Sequence, residues 1–125
     1  MVGKGEIKTT HKSHGLYCEV ELTLHKKETG LNNSISYDPS TQVMNHHIGS
    51  INFGIEIAQR AIKRESSFFR PYNVLITEFK TVVMDENPIA ICWATMLAYW
   101  HALGYNAYEM NKWAELKNGE LIIRV

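Results

Sequence analysis

The residues best suited to chemistry are two cysteines and six histidines in a chain of 125. Cys92 lies in the run Ile91-Cys92-Trp93-Ala94, shortly after Pro88, with His101 and His47 as the nearest claims to a general base. A nucleophilic thiol needs its thiolate favoured, by a helix N-terminus or a cationic neighbour, and a histidine within hydrogen-bond reach. Cys92 instead falls a full turn after Pro88 inside an apolar stripe, where burial raises a thiol pKa. It reads as a core thiol, so catalysis by Cys92 or a histidine stands as the alternative to a non-enzymatic role. His11, His14 and Cys18 are close in sequence, and His46 precedes His47 directly. Neither group has the paired CxxC or HExxH spacing of a zinc site. No catalytic residue, metal or cofactor is expected.

Charge narrows the partners. Thirteen basic residues balance thirteen acidic ones, so no whole-chain positive field draws in a phosphate backbone. Lys26, Lys27, Lys63, Arg64 and Arg70 form a candidate basic edge if the first hairpin loop and the first helix end lie together. Phe68 and Phe69 are expected to tuck under the domain edge beside it. Basic groove plus aromatic stacking is the recipe for single-stranded RNA, but Glu28 and Glu65 interrupt the cluster, which reads as an ordinary solvated edge. The first fifteen residues carry no apolar run after Lys4, hence no signal peptide, and a cytoplasmic protein with two reduced thiols is expected. The apolar run from Pro88 to Tyr105 is diluted by Thr95, Tyr99, His101 and Gly104 and lacks basic flanks, so it reads as a core helix and not a span.

The elements that position these residues follow from patterning. Residues 4–10 make a short first strand, and His11 to Gly15 a polar turn. Leu16, Cys18, Val20, Leu22 and Leu24 alternate with Tyr17, Glu19, Glu21 and Thr23, the signature of a half-buried strand. After a connection over 25–33, Ser34 to Tyr37 is read as a short returning strand, antiparallel to the last. Ile48, Ile51, Ile55, Ala58 and Ile62 space an amphipathic helix that ends in Lys63 and Arg64. Asn73 to Met84 is a long strand whose alternation slips around Thr77 to Lys80, predicting a bulge or a partly exposed end.

Asp85 or Asn87 caps the following helix, Pro88 suits its first position, and Gly104 ends it. Beyond lies either a closing hairpin about Asn118-Gly119 or a second helical segment over 105–116. The whole is one α+β domain, with 1–104 as core and 105–125 as extension. It is a two-layer sandwich, a mainly antiparallel sheet with two helices on one face, in the order β-β-β-α-β-α plus a C-terminal tail.

The stretches GLYCEVELTL, ETGLNNSISYD, INFGIEIAQRAIK and YNVLITEFKTVVM, with the apolar helix after them, resemble domain IV of elongation factor G and of the tetracycline-resistance ribosomal protection proteins. The likeness spans roughly residues 5 to 104. It implies the fold of ribosomal protein S5 domain 2 and a non-catalytic domain that reaches a ribosomal surface with two loops at one tip. The matching tip residues here are His11, Lys12, Ser13 and His14 in one loop and Asp85, Glu86 and Asn87 in the other. The second loop is short and acidic and lacks the histidine-containing tip of the elongation factors. No GxxxxGK[ST] phosphate loop is present, so the chain carries no GTPase motor. The expected function is a stand-alone interaction module binding a protein or ribosome-like RNA surface. A further reading is a homodimer formed through the C-terminal edge strand.

Overall fold

A computed structural model describes residues 1–11, 14–26, 34–66, 68–81 and 87–125. The alternating run nucleates the sheet. Strand β2 (His14–Lys26) buries Leu16, Cys18, Val20, Leu22 and Leu24, while Tyr17, Glu19, Glu21 and Thr23 take the other face. It pairs antiparallel with β1 (Val2–His11) from Val2↔Thr23 to His11↔His14. The expected turn at His11 to Gly15 is therefore too wide. Both strands run through it, leaving only Lys12 and Ser13 between them, outside the described residues. Ladder pairing is a property of the backbone, so polar side chains there did not mark a turn.

Strand β3 (Ile35–Tyr37) corrects a second expectation. It is not antiparallel to β2; it pairs parallel with β4 (Tyr72–Thr81), and the sheet order is β1-β2-β4-β3. The connection explains this, because α1 (Asn45–Glu65) intervenes between β3 and β4 and is long enough for a parallel crossover. Strand β4 pairs antiparallel with β2, and Glu21↔Glu78 followed by Leu22↔Ile76 leaves Thr77 as the extra residue. The slip in alternation is thus a bulge. Thr77 Oγ1 donates to the Glu21 carbonyl at 3.2 Å, giving the bulge its own bond. Val82 to Met84, expected in this strand, lie outside the described residues.

Helix α2 (Pro88–Ala102) starts as its sequence dictates, with Asn87 Oδ1 accepting from the Ile89 N–H at 2.8 Å and Pro88 in the first turn. Its small residues Ala94 and Ala98 lie against β1, where the built positions of a Cβ on Gly3 and Gly5 fall within 2.0 Å of the Ala98 and Ala94 carbonyl oxygens. Glycine is required there by closeness of approach. On the other side Gly54 of α1 meets Cys92 and Thr95, and Trp100 Nε1 donates to the Ala58 carbonyl at 3.1 Å. The two helices therefore run in the same direction over one face of the sheet. No helix of the described residues is long and apolar enough to cross a membrane.

Both readings of the tail hold in part. Helix α3 (Ala107–Trp113) precedes a hairpin of β5 (Ala114–Lys117) and β6 (Glu120–Ile123), joined through Asn118 and Gly119, both at positive φ. Asn106 Oδ1 accepts from the Glu109 N–H at 2.9 Å and Glu109 returns the bond, a capping box that fixes the start of α3. Trp113 then packs on Trp100 with ring centroids 5.1 Å apart and on Tyr105 at 4.9 Å. The extension is thereby fastened to the helix layer.

Candidate functional site

The ladder registers place the ends of the strands. Strand β1 stops at His11, β2 begins at His14, and β4 reaches Thr81 opposite Cys18, so all three finish at one end of the sheet. Gly3 meets Ala98 and Ala102 while Gly5 meets Ala94 and Ala98, so the N-terminus of α2, capped by Asn87, points to that same end. Of the candidate tip residues, His11, His14 and Asn87 are thus carried by elements meeting at one end. Lys12, Ser13, Asp85 and Glu86 lie outside the described residues. Asn87 already serves as the α2 cap.

The first turn of α1 adds residues that sequence reasoning did not connect to the tip. His46 and His47 have ring centroids 4.1 Å apart, and the buried His47 lies 5.0 Å from Phe79, two residues before the end of β4. His47 Nδ1 accepts from the Met44 N–H at 3.3 Å. Strict alternation from Val74 and Ile76 would have placed Phe79 on the open face, and the Thr77 bulge is what turns it to the helix side; nothing local to His46-His47 announced which strand end they meet. Nearby on the open face, Lys80 Nζ is 2.8 Å from Glu78 Oε1, which raises the Lys80 pKa and lowers that of Glu78. Tyr17 donates to Glu19 Oε2 at 2.7 Å, and that bond raises the phenol pKa.

Part of the candidate basic edge shares a groove. Lys26 pairs with Tyr72, and Lys26, Phe68, Phe69, Arg70 and Tyr72 line one groove of about 310 Å³ at the end opposite the tip. Lys63 and Arg64, in the last turn of α1, do not line it; Arg64 Nη1 reaches the Arg124 carbonyl at 3.4 Å instead. Lys27 lies outside the described residues. Phe69 packs on Tyr72 with centroids 6.0 Å apart, as expected of a tucked ring. Phe68 does not tuck, standing 93% exposed. Its neighbours Arg70 and Pro71 leave it on the outside of a loop, so an aromatic doublet does not imply two buried rings.

The thiol alternative meets the opposite chemistry from what it needs. Cys92 is 4% exposed, its Sγ lies 3.8 Å from Met96 Sδ, and burial pushes its pKa up to about 11. Burial likewise pushes Cys18 up to about 12. His101 lies nine positions along α2 from Cys92, or about 13 Å at helical rise, and its Nδ1 accepts from the Lys4 N–H at 3.0 Å on the free edge of β1. Among the described residues no three His, Cys, Asp or Glu side chains group as a metal set.

One concavity escaped the sequence reading. A groove of about 580 Å³ runs between the N-terminal halves of α1 and α2 and the strand β6, lined by Phe53, Ile89, Cys92, Leu121 and Ile123 among others. Phe53 falls outside the isoleucine stripe of α1 and remains half exposed, which is the signal that was available.

No family model matches the chain, and no curated protein matches it. Among solved structures it is similar to the Thermus thermophilus protein designated ttk003000868, with a TM-score of 0.58 and 19% sequence identity over 78% of this chain. At that identity the likeness is one of fold alone. The chain spans 14% of the length of that neighbour, so what is shared is a domain-sized part of a longer protein.

Proposed function

We propose that the chain is a non-catalytic, cytoplasmic interaction module that engages a ribosome-like RNA surface through its tip, in the manner implied by its resemblance to domain IV of elongation factor G and of the ribosomal protection proteins. The observation that carries this reading is the shared end: β1 ends and β2 begins, and β4 ends and α2 begins, at one end of the sheet. A two-loop tip needs that arrangement. The buried, protonated thiols favour a binding role over nucleophilic chemistry. Co-sedimentation with ribosomes across a salt series tests it. Binding that weakens linearly in log salt is expected, because phosphate contacts release counterions; no co-sedimentation at low salt refutes the RNA reading.

A second reading rests on Phe68, exposed beside Lys26 and Arg70 at the opposite end. An exposed aromatic ring with cations lining the same groove is a platform for an unpaired base.

A further inference from the structure

The small sheet β5-β6 is incomplete in a way that matches itself. We infer that a second copy of this chain docks on β6, extending the hairpin into a four-stranded sheet in the order β5-β6-β6-β5 about a two-fold axis at Ile122.

Strand β6 pairs with β5 alone, so its outer edge has no strand partner among the described residues. An isolated two-stranded hairpin is marginal, and an open edge is a template for another strand. The hydrogen-bonding parity of the hairpin is set by its two-residue turn. Lys117↔Glu120 and Glu115↔Ile122 are the bonded pairs, and the bond from the Arg124 N–H to the Trp113 carbonyl at 2.8 Å continues that alternation. The backbone groups of Leu121 and Ile123 therefore point outward, along the free edge.

An antiparallel pairing centred on Ile122 sets Leu121 opposite Ile123 of the second copy, and Ile123 opposite its Leu121. Those are the residues whose N–H and C=O groups face outward, so the register satisfies both edges at once. Ile122 becomes a non-bonded pair with its own copy, and Glu120 falls opposite Arg124. A register shifted by one residue breaks the bonding parity, and a shift by two takes Leu121 away from Ile123 of the second copy.

The groove beside β6 supplies room. Leu121 and Ile123 line it and no β5 residue does, so it lies on the free-edge side of β6, between β6 and Phe53 of α1 and Ile89 of α2. Side chains of a docked strand at the Leu121 and Ile123 positions lean over the same face, into this apolar space. Arg124 is already held toward β5 by Glu115 Oε1 and by the Asn111 carbonyl at 2.7 Å, so the register rests on the backbone parity and on Leu121 and Ile123.

Ile122 is 37% exposed, so polar replacements there leave the fold intact, as circular dichroism will register. Sedimentation equilibrium of the wild type is expected to give twice the 14.3 kDa chain mass, and Ile122→Lys and Ile122→Glu each to give the single-chain mass. Mixing the two variants is expected to restore the doubled mass, because position 122 faces itself across the axis. As an independent readout, Ile122→Cys is expected to oxidise to a covalent dimer, since non-bonded antiparallel pairs stand within disulfide reach. A monomeric wild type at millimolar concentration overturns the proposal. So does a doubled mass in Ile122→Lys, or a mixture of variants that stays monomeric. The readout is the oligomeric state and not ribosome binding, so these outcomes are distinguishable from failure of the tip reading.

Discussion

Replacing Gly5 with alanine tests the contact that sets the depth of α2 in the molecule. A Cβ on Gly5 would stand 1.9 Å from the Ala94 carbonyl oxygen and 2.6 Å from the Ala98 nitrogen, both main-chain atoms of α2 that cannot rotate away. An ordinary carbon–oxygen contact begins near about 3.3 Å, so strand and helix must part by about 1.4 Å along that direction. A gap of that size forfeits much of the dispersion energy across β1 and α2. Strain of inserting the methyl group is worth about 1–3 kcal/mol, and the stiffer unfolded chain returns about 0.5–1 kcal/mol. The net loss comes to about 1–2 kcal/mol, and on the size scaling of thermal unfolding that lowers Tm by about 4–8 °C. Gly49 is the control. It sits in α1 with nothing within 4 Å of its built Cβ, so Gly49→Ala is expected to stabilise by about 0.5–1 kcal/mol. Urea and thermal unfolding followed by tryptophan fluorescence reports both, as Trp93 and Trp100 lie on α2. Equal midpoints for Gly5→Ala and wild type would refute the close approach.

Two further outcomes are expected. Both thiols have folded pKa values raised above the ordinary 9.0, so the unfolded chain releases their protons first as pH rises. Stability is full below pH 9.0 and falls between there and about 11 to 12, by about 2 kcal/mol for each thiol at pH 11. Urea midpoints across that window check this, and native-state labelling of either thiol near neutral pH contradicts it. Phe68→Ala is expected to leave the unfolding midpoint within about 0.5 kcal/mol of wild type, because the ring touches little. If the second reading holds, the same change weakens fluorescence-detected binding of single-stranded RNA by about 1–3 kcal/mol; unchanged affinity excludes Phe68 as a stacking platform.

Much of the fold was legible because periodicity reports burial directly. The Leu16 to Leu24 alternation, the isoleucine stripe of α1, the Asn87-Pro88 start of α2 and the Thr77 slip each became the element their chemistry indicated. Strand order was less legible. Ile35 to Tyr37 is too short to carry a face preference, and its parallel partner β4 is decided by the crossover through α1. The tail split at Trp113 because its local signals for helix and hairpin were both real. Nothing in the sequence marked Gly3 and Gly5 as the points where α2 comes closest to β1. As for the site, sequence could name the two loops and the basic residues, but only the ladder registers bring the loop-bearing ends together, and only the groove shows Lys26 and Arg70 sharing one wall. The groove beside β6 left almost no trace, since a concavity between three elements has no periodicity of its own.

Charge reversal at the two ends of the sheet tests the central claim most directly. Lys12 belongs to the candidate tip, and Lys26 closes the opposite end against Tyr72. The measurement is ribosome affinity as a function of salt for wild type, Lys12→Glu and Lys26→Glu. The tip account predicts that Lys12→Glu weakens binding and reduces the log–log salt slope by about one unit, while Lys26→Glu follows the wild-type line. A normal slope for Lys12→Glu together with a loss for Lys26→Glu would contradict it and move the binding surface to the Phe68 end.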